Sequence, residues 1–432
     1  MVIFYNILMN LLMGIFFLLL PAIYLFSKKR RVNVLLRFGF GTAWRPKKPE
    51  EKRIWIHALS VGEVRSVVPL VKALSDRQGK MKIVFTASTR TGFEMAGQYF
   101  LKTDMKIVDQ LGYFPFDFGY SVRKISKLVE PDAVIIVETD IWPNFLYEMK
   151  KRQVPVVLIN ARLSKRALNG YLLFKKFFST VFSCFAQIMV QTQIDAERFL
   201  CLDISKKKIQ ATGNLKFDQV LEDREDSFVS TMRKRLNIQK ETLVLIAGST
   251  HEGEENILCR AYQKLKKKYP SLIMILVPRD PLRCKSLLLD FSSEDIPAYL
   301  LSETNAPLQN SGVVLVDEMG ILSHLYTLCH VAYIGGSLVK EGGHNPLEPA
   351  AFSKPILFGP DMSDFLWIST LLVDNGGAKQ VSSETELTHE LDTLFGSRSL
   401  QKHMGQLNQE VFSAHSGAVK NIVRNLESLH IV

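Results

Sequence analysis

The chain has 432 residues, 47% of them hydrophobic and 10% aromatic, which is too much for one ordinary core and enough for two, so two domains are expected. The formal charge of +11 attracts anions such as phosphorylated small molecules or anionic lipid. Nucleic acid is set aside because the chain carries no zinc-finger spacing, aromatic RNA-binding stretch or long basic helix. No low-complexity tract or fixed-period repeat occurs, which excludes solenoids and propellers.

From Met1 to Ser27 there is no charged side chain. The run from Ile7 to Phe26 would be about 30 Å long as a helix, enough to cross a bilayer core. A membrane-anchor helix over 1–27 is therefore expected, with a buried core helix as the alternative that Asn6, Asn10 and Pro21 favour. Lys28, Lys29, Arg30 and Arg31 follow the apolar stretch instead of preceding it. That order argues against a cleaved signal peptide and places the rest of the chain on the cytoplasmic side of a membrane.

Short apolar β-rich runs then alternate with helical patterns, the signature of βαβ units on a parallel sheet. Strands are predicted at Ile54–Leu59, Lys82–Ala87, Ala133–Val137, Val154–Ile159 and Gln187–Gln191. A second series is predicted at Leu243–Ala247, Leu272–Val277, Val313–Val316, Val331–Ile334 and Pro355–Phe358. The charged stretch Leu221–Lys240, after the turn-like Gly213-Asn214, marks the boundary. The first domain accordingly spans 28–222 and the second 223–432, with the helical segment Gln401–Ile431 a candidate to pack back onto the first. Two such α/β domains in tandem are expected to bind ligands in a cleft between the carboxyl ends of their sheets. The cysteines Cys184, Cys201, Cys259, Cys284 and Cys329 stand singly, without CxxC spacing, and read as reduced core residues of a cytosolic protein.

Ser60-Val61-Gly62-Glu63 follows the first strand and opens a helix. It reads as a capping box, in which the carboxylate serves a backbone N–H. A carboxylate at a helix N-terminus is also expected to stay ionised, as a general base must be. Glu138-Thr139-Asp140-Ile141-Trp142-Pro143-Asn144 repeats the arrangement after another strand, either as a cap with a packing Trp or as a second carboxylate on the same sheet edge. Gly213 to Asp218 puts Lys216 beside a turn, solvated or placed to neutralise an oxyanion.

In the second half, Gly248 to Gly253 opens a helix with small and hydroxylated residues that suit an anion. Pro278-Arg279 ends a strand and offers a guanidinium, for a phosphate or for a surface ion pair. Gly335-Gly336-Ser337 and Glu341 to Ala351 combine glycines with a predicted cap at Asn345, Pro346 at the first helical position, and Glu348 three residues after the cap. No Asp-x-Asp triplet or His-x-x-x-His pair occurs, and no metal is expected.

Taken in order along the chain, these stretches resemble the bacterial 3-deoxy-D-manno-octulosonic acid (Kdo) transferases of lipopolysaccharide assembly. The motifs are His57 to Glu63, Glu138 to Asn144, Asn160-Ala161-Arg162-Leu163-Ser164, Gly213 to Asp218, Pro278-Arg279, Asp317 to Leu322 and Gly335 to Ala351. The resemblance implies a GT-B fold, two Rossmann-like domains facing across a cleft, at the bacterial inner membrane with the catalytic domains on its cytoplasmic side. It implies an inverting transfer of Kdo from CMP-Kdo to a lipid A precursor without a cofactor, with anionic membrane lipid as a further partner. Glu63 would be the base, assisted by Glu138 and Lys216. Pro278, Arg279, Met319, Gly320, Ile321, Asn345, Pro346, Leu347 and Glu348 would hold the CMP. An acidic residue usually follows the Met-Gly pair, where Ile321 stands, and histidine often follows Pro-Arg, where Asp280 stands. The alternatives are another GT-B transferase, a sugar-nucleotide epimerase or a non-catalytic membrane scaffold binding anionic ligands.

Overall fold

The computed structural model describes residues 5, 9, 34–41, 44–77, 81–101, 107–218, 226–304 and 312–432. Apart from Tyr5 and Met9, the expected anchor over 1–27 lies outside them. Among the described residues no helix is long and apolar enough to cross a membrane.

The chain divides into two units, one comprising Met1–Gln219 with Ser416–Val432, the other Val220–His415. In the first, β1 (Lys52–Ala58), β2 (Met81–Ala87), β3 (Gln110–Tyr113), β4 (Ala133–Val137), β5 (Val156–Ala161), β6 (Gln187–Val190) and β7 (Ile209–Ala211) form one sheet. Its order is β3-β2-β1-β4-β5-β6-β7, with every pairing parallel. Runs such as Ala-Val-Ile-Ile-Val in β4 are apolar on both faces because helices cover both sides, and all five residues are buried. The strand order reverses between β1 and β4, which leaves a crevice at their carboxyl ends.

The second unit repeats the plan with β8 (Val244–Thr250), β9 (Ile273–Pro278), β10 (Ala298–Leu300), β11 (Val313–Leu315), β12 (Val331–Ile334), β13 (Ile356–Phe358) and β14 (Ala378–Gln380). Their order is β10-β11-β9-β8-β12-β13-β14, again parallel, so the reversal falls between β8 and β12.

The expected second domain over 223–432 ends instead at His415. Its last predicted segment is two helices, and Arg398–His415 stays with the second unit. Helix Ala418–Ser428 belongs to the first unit, where Ala418, Ile422, Val423 and Leu426 join Ile54, Val64 and Leu70 in one core. The Asp218 carboxylate secures its start by accepting from the Gly417 and Val419 N–H groups. Of the cysteines, Cys259, Cys284 and Cys329 are buried as expected, whereas Cys201 is exposed and Cys184 half-buried on the first unit's surface; all five are free.

Candidate active site

Glu63 lies in the first turn of helix Val61–Ser75, immediately beyond β1. The capping box forms with its return bond displaced by one residue: Ser60 Oγ accepts from Glu63 N, and Glu63 Oε2 accepts at 2.6 Å from the N–H of Leu59, the residue before the cap. Ser60 Oγ also donates to Glu63 Oε1 at 3.1 Å. The expectation that the helix start keeps this carboxyl ionised fails. Burial, then the charges of Glu138 and Asp140, push Glu63 from its ordinary 4.5 up to about 8, against the opposing hydrogen bonds from Leu59 and Ser60. Desolvation and two like charges outweigh the helix terminus because the group is only 8% exposed.

Glu138 follows β4, the neighbour of β1, with a left-handed φ of 58° that a non-glycine residue holds only at a cost. Burial raises its carboxyl, while the Lys216 and Arg162 charges pull it back down. Two positive charges thus act on the Glu138 carboxyl. The predicted cap role of the motif falls elsewhere. Helix Pro143–Lys151 is capped by Asp117, which accepts from Asn144 N–H at 3.0 Å and Phe145 N–H at 2.8 Å. Lys216 sits in the turn Leu215–Asp218, which Asn160 at the end of β5 steadies by accepting from Leu215 N–H at 3.0 Å.

Sequence reasoning assigned no role to three further groups here. His57, in β1, is fully buried and stacks on Phe114 at 3.8 Å. Its Nδ1 meets the Thr86 carbonyl at 3.0 Å and its Nε2 faces Asp140 Oδ2 at 3.5 Å. Burial lowers the imidazole below its usual range, with Asp140 opposing. Arg37 donates through Nε to the Phe114 carbonyl at 2.9 Å, and burial lowers it to about 10 against the pull of Asp140. Asp140 had been quoted within the Glu138 motif, so its place was legible. His57 had likewise been quoted at the head of the Glu63 motif, but its pairing with Asp140 and the approach of Arg37, far away in sequence, were not legible. The switch point of the first sheet therefore gathers Glu63, Glu138 and Asp140 with Lys216, Arg162 and Arg37, a set able to accept a proton beside compensating positive charge.

In the second unit, the loops after β8 and β12 meet through Glu254, which is fully buried. Its Oε2 accepts from Gly336 N–H at 2.7 Å and His251 N–H at 3.0 Å. Its Oε1 accepts from Tyr333 Oη at 2.9 Å and from Ser337 and Leu338 N–H at 3.0 Å each. Of the stretch read from sequence as suited to an anion, Gly248 to Gly253, the His251 N–H is thus taken by the protein's own carboxylate, as are those of Gly336, Ser337 and Leu338 after β12. Gly335 is required for a different reason, since a Cβ there would lie 2.3 Å from the Ser249 carbonyl oxygen.

Around this junction stand the other predicted residues. Pro278 is buried at the end of β9, and Arg279, exposed, donates its N–H to the Thr250 carbonyl at 2.9 Å. Arg279 makes no ion pair among the described residues, so the surface-pair alternative is not what holds it. Met319 is 69% exposed, Gly320 has φ 83° and Ile321 is 6% exposed. Ile321 thus presents backbone, and its side chain is core, because an apolar group gains by leaving water. Asn345 Oδ1 accepts from Leu347 N–H at 3.1 Å, and helix Leu347–Ala351 begins with Pro346 as its cap residue. The predicted cap is shifted by one: Asn345 makes the turn before the helix and Glu348 falls within its first turn. Asp280, in place of histidine, caps the following turn through Leu282 N–H at 3.0 Å. His344 stacks against His251 with Nε2 atoms 2.8 Å apart. Burial, then the Arg279 and His251 charges, lower His344 to about 4, so it is neutral at physiological pH.

A family model described as 3-deoxy-D-manno-octulosonic-acid transferase (kdotransferase) matches residues 33–219. The 3-deoxy-D-manno-octulosonic acid transferase of Haemophilus influenzae is 33% identical over 400 residues, 92% of this chain and 91% of that protein. Among solved structures, a UDP-GlcNAc 2-epimerase from Neisseria meningitidis aligns with a TM-score of 0.62 at 18% identity, covering 87% of this chain and 100% of that one. A glycosyltransferase from Rickettsia africae aligns with a TM-score of 0.56 at 12% identity, covering 87% and 97%. At such identities the structural likeness speaks for the fold alone, the α/β GT-B class.

Proposed function

This chain belongs to the Kdo transferase family, and from that premise we propose that it moves Kdo from CMP-Kdo to a lipid A precursor in lipopolysaccharide assembly, inverting the anomeric carbon without a metal. The carrying observation is the buried carboxyl of Glu63 at the switch point of the first sheet, beside Glu138 and Asp140. Glu63 accepts the proton of the acceptor hydroxyl as that oxygen bonds to the anomeric carbon. The bond from that carbon to the phosphate oxygen breaks, and CMP leaves with the electron pair. Lys216 and Arg162, whose charges lower the Glu138 carboxyl, supply positive charge beside the reacting groups. Pro278, Arg279, Met319, Gly320, the Ile321 backbone and Asn345 to Glu348 hold the CMP. The acceptor is a membrane lipid, so the protein works at the cytoplasmic face of the bacterial inner membrane, against anionic lipid.

Incubation of the purified protein with CMP-Kdo and a lipid A precursor is expected to yield an acceptor heavier by whole Kdo units in mass spectrometry. An unchanged acceptor mass beside an active control enzyme would refute the proposal.

Asp140 supplies a pH test. Because its charge helps raise Glu63, Asp140→Asn is expected to move the rising limb of kcat/KM from about pH 8 to lower pH. A limb that stays in place, in a variant that still binds CMP, would remove Asp140 from the base's environment.

A further inference from the structure

Two short helices of the first unit, Lys165–Leu173 and Lys175–Phe182, meet at a corner. Its surface is unusual for a domain bathed in water. From Ser164 to Phe182 the sequence holds four basic residues, Lys165, Arg166, Lys175 and Lys176, and no acidic one. Helix Lys165–Leu173 buries none of its residues. At the corner, Leu172, Leu173 and Phe174 are 39%, 80% and 66% exposed. Phe174, with φ −122° and ψ 40°, breaks the helix there and keeps this apolar triplet at the tip.

The inner side is well anchored. Tyr171, Phe177 and Phe178 pack on the first unit's core, with the Tyr171 and Phe178 rings 4.2 Å apart. The corner is therefore held in place by one face while the other shows leucine and phenylalanine to solvent. Lys175 is engaged with Asp203 at 2.8 Å. Lys165, Arg166 and Lys176 have no ion-pair partner among the described residues. Tyr5, from the uncharged opening stretch, meets this same element: its ring lies 5.7 Å from that of Phe177. Its hydroxyl donates to Asp117 at 2.7 Å.

We propose that this corner docks the folded first unit on an anionic bilayer, with Leu172, Leu173 and Phe174 in the interfacial layer and Lys165, Arg166 and Lys176 on headgroup phosphates. The inference rests on the reading that the acceptor is a membrane lipid, and it names the surface that meets the membrane. A short amphipathic helix with apolar residues on one side and lysines around them is the form that lies in a bilayer interface. A second copy of this chain is the weaker occupant. Two-fold pairing would set the same basic residues against each other with no carboxylate on the element to answer them.

The test uses the full chain with Leu173→Cys in a Cys184→Ser/Cys201→Ser background, the introduced thiol carrying an environment-sensitive dye. It is mixed with phosphatidylcholine vesicles containing phosphatidylglycerol, with or without brominated phosphatidylcholine, and the vesicles are floated to confirm attachment. The dye at position 173 is expected to lose emission about twofold or more with the brominated lipid. Quenching should weaken in the Lys165→Glu/Arg166→Glu/Lys176→Glu variant. Protein that floats with unchanged emission overturns the inference and leaves the membrane reading standing. Protein that does not float overturns both. A dimer in solution that Leu173→Glu dissociates, with no quenching on vesicles, assigns the corner to self-association and likewise overturns the inference.

Discussion

Glu63→Gln is expected to lower turnover by at least about a hundredfold while leaving CMP binding unchanged. An amide can reproduce the local contacts of the carboxyl, with its oxygen accepting from Leu59 N–H and its NH₂ facing Ser60 Oγ, which lie 2.6 Å and 3.1 Å from the present oxygens. The helix start is preserved, and what disappears is a group able to take a proton. The residues proposed for CMP belong to the second unit, so calorimetry with CMP is the control. Turnover within about threefold of the parent would return Glu63 to capping alone.

The same variant reports the proton in its stability. Glu63 titrates near 8 in the folded protein and near 4.5 when unfolded. A folded pKa above the unfolded one means that the native state holds the proton more tightly. Its stabilising contribution is complete below about 4.5 and is lost as the pH rises through about 8. Gln carries no such dependence. The melting temperature of Glu63→Gln should therefore gain on that of the parent as melts are taken from the acid to the alkaline side of pH 8. A gap independent of pH would show that the carboxyl is not raised.

Glu254→Ala is expected to destabilise the second unit by about 4 kcal/mol and to weaken CMP binding. The fully buried carboxylate accepts from five donors: the N–H groups of His251, Gly336, Ser337 and Leu338, and the hydroxyl of Tyr333. Each buried donor left without an acceptor costs about 1–3 kcal/mol. Relaxation and entering water recover part of that sum. Glu254→Gln keeps one acceptor oxygen and should cost less than Ala. Denaturant melts followed by second-unit probes, with calorimetry for CMP, check both statements. A loss under about 1 kcal/mol for Ala would mean that the loops after β8 and β12 hold themselves.

The junction between those loops shows how far local sequence reaches. Ser60 and Glu63 are three residues apart, so their capping box could be read directly. Glu254 and Gly336 are 82 residues apart, so nothing local showed that the donors of the loop after β12 were already taken. The cap of helix Pro143–Lys151 repeats the lesson, since it comes from Asp117, 27 residues upstream of Asn144.

Ten of the fourteen strands among the described residues were legible in the order and spacing of apolar runs. Strands inside a parallel sheet are covered on both faces and must be apolar throughout. The four that were missed, β3, β7, β10 and β14, are the edges of the two sheets. Gln-Leu-Gly-Tyr, Ile-Gln-Ala, Ala-Tyr-Leu and Ala-Lys-Gln are short and partly exposed, so burial imposes no pattern on them.

What the sequence determined by itself was therefore what burial and near neighbours impose: two parallel sheets, the strand ends bearing Glu63 and Glu138, and their helix starts. The tertiary structure decided the rest. It brought His57, Arg37 and Asp140 together at one switch point, returned helix Ala418–Ser428 to the first unit, and raised Glu63 to about 8. A carboxyl's proton affinity depends on lost water and on charges a few ångströms away in space, and residues that supply both can stand anywhere along the chain.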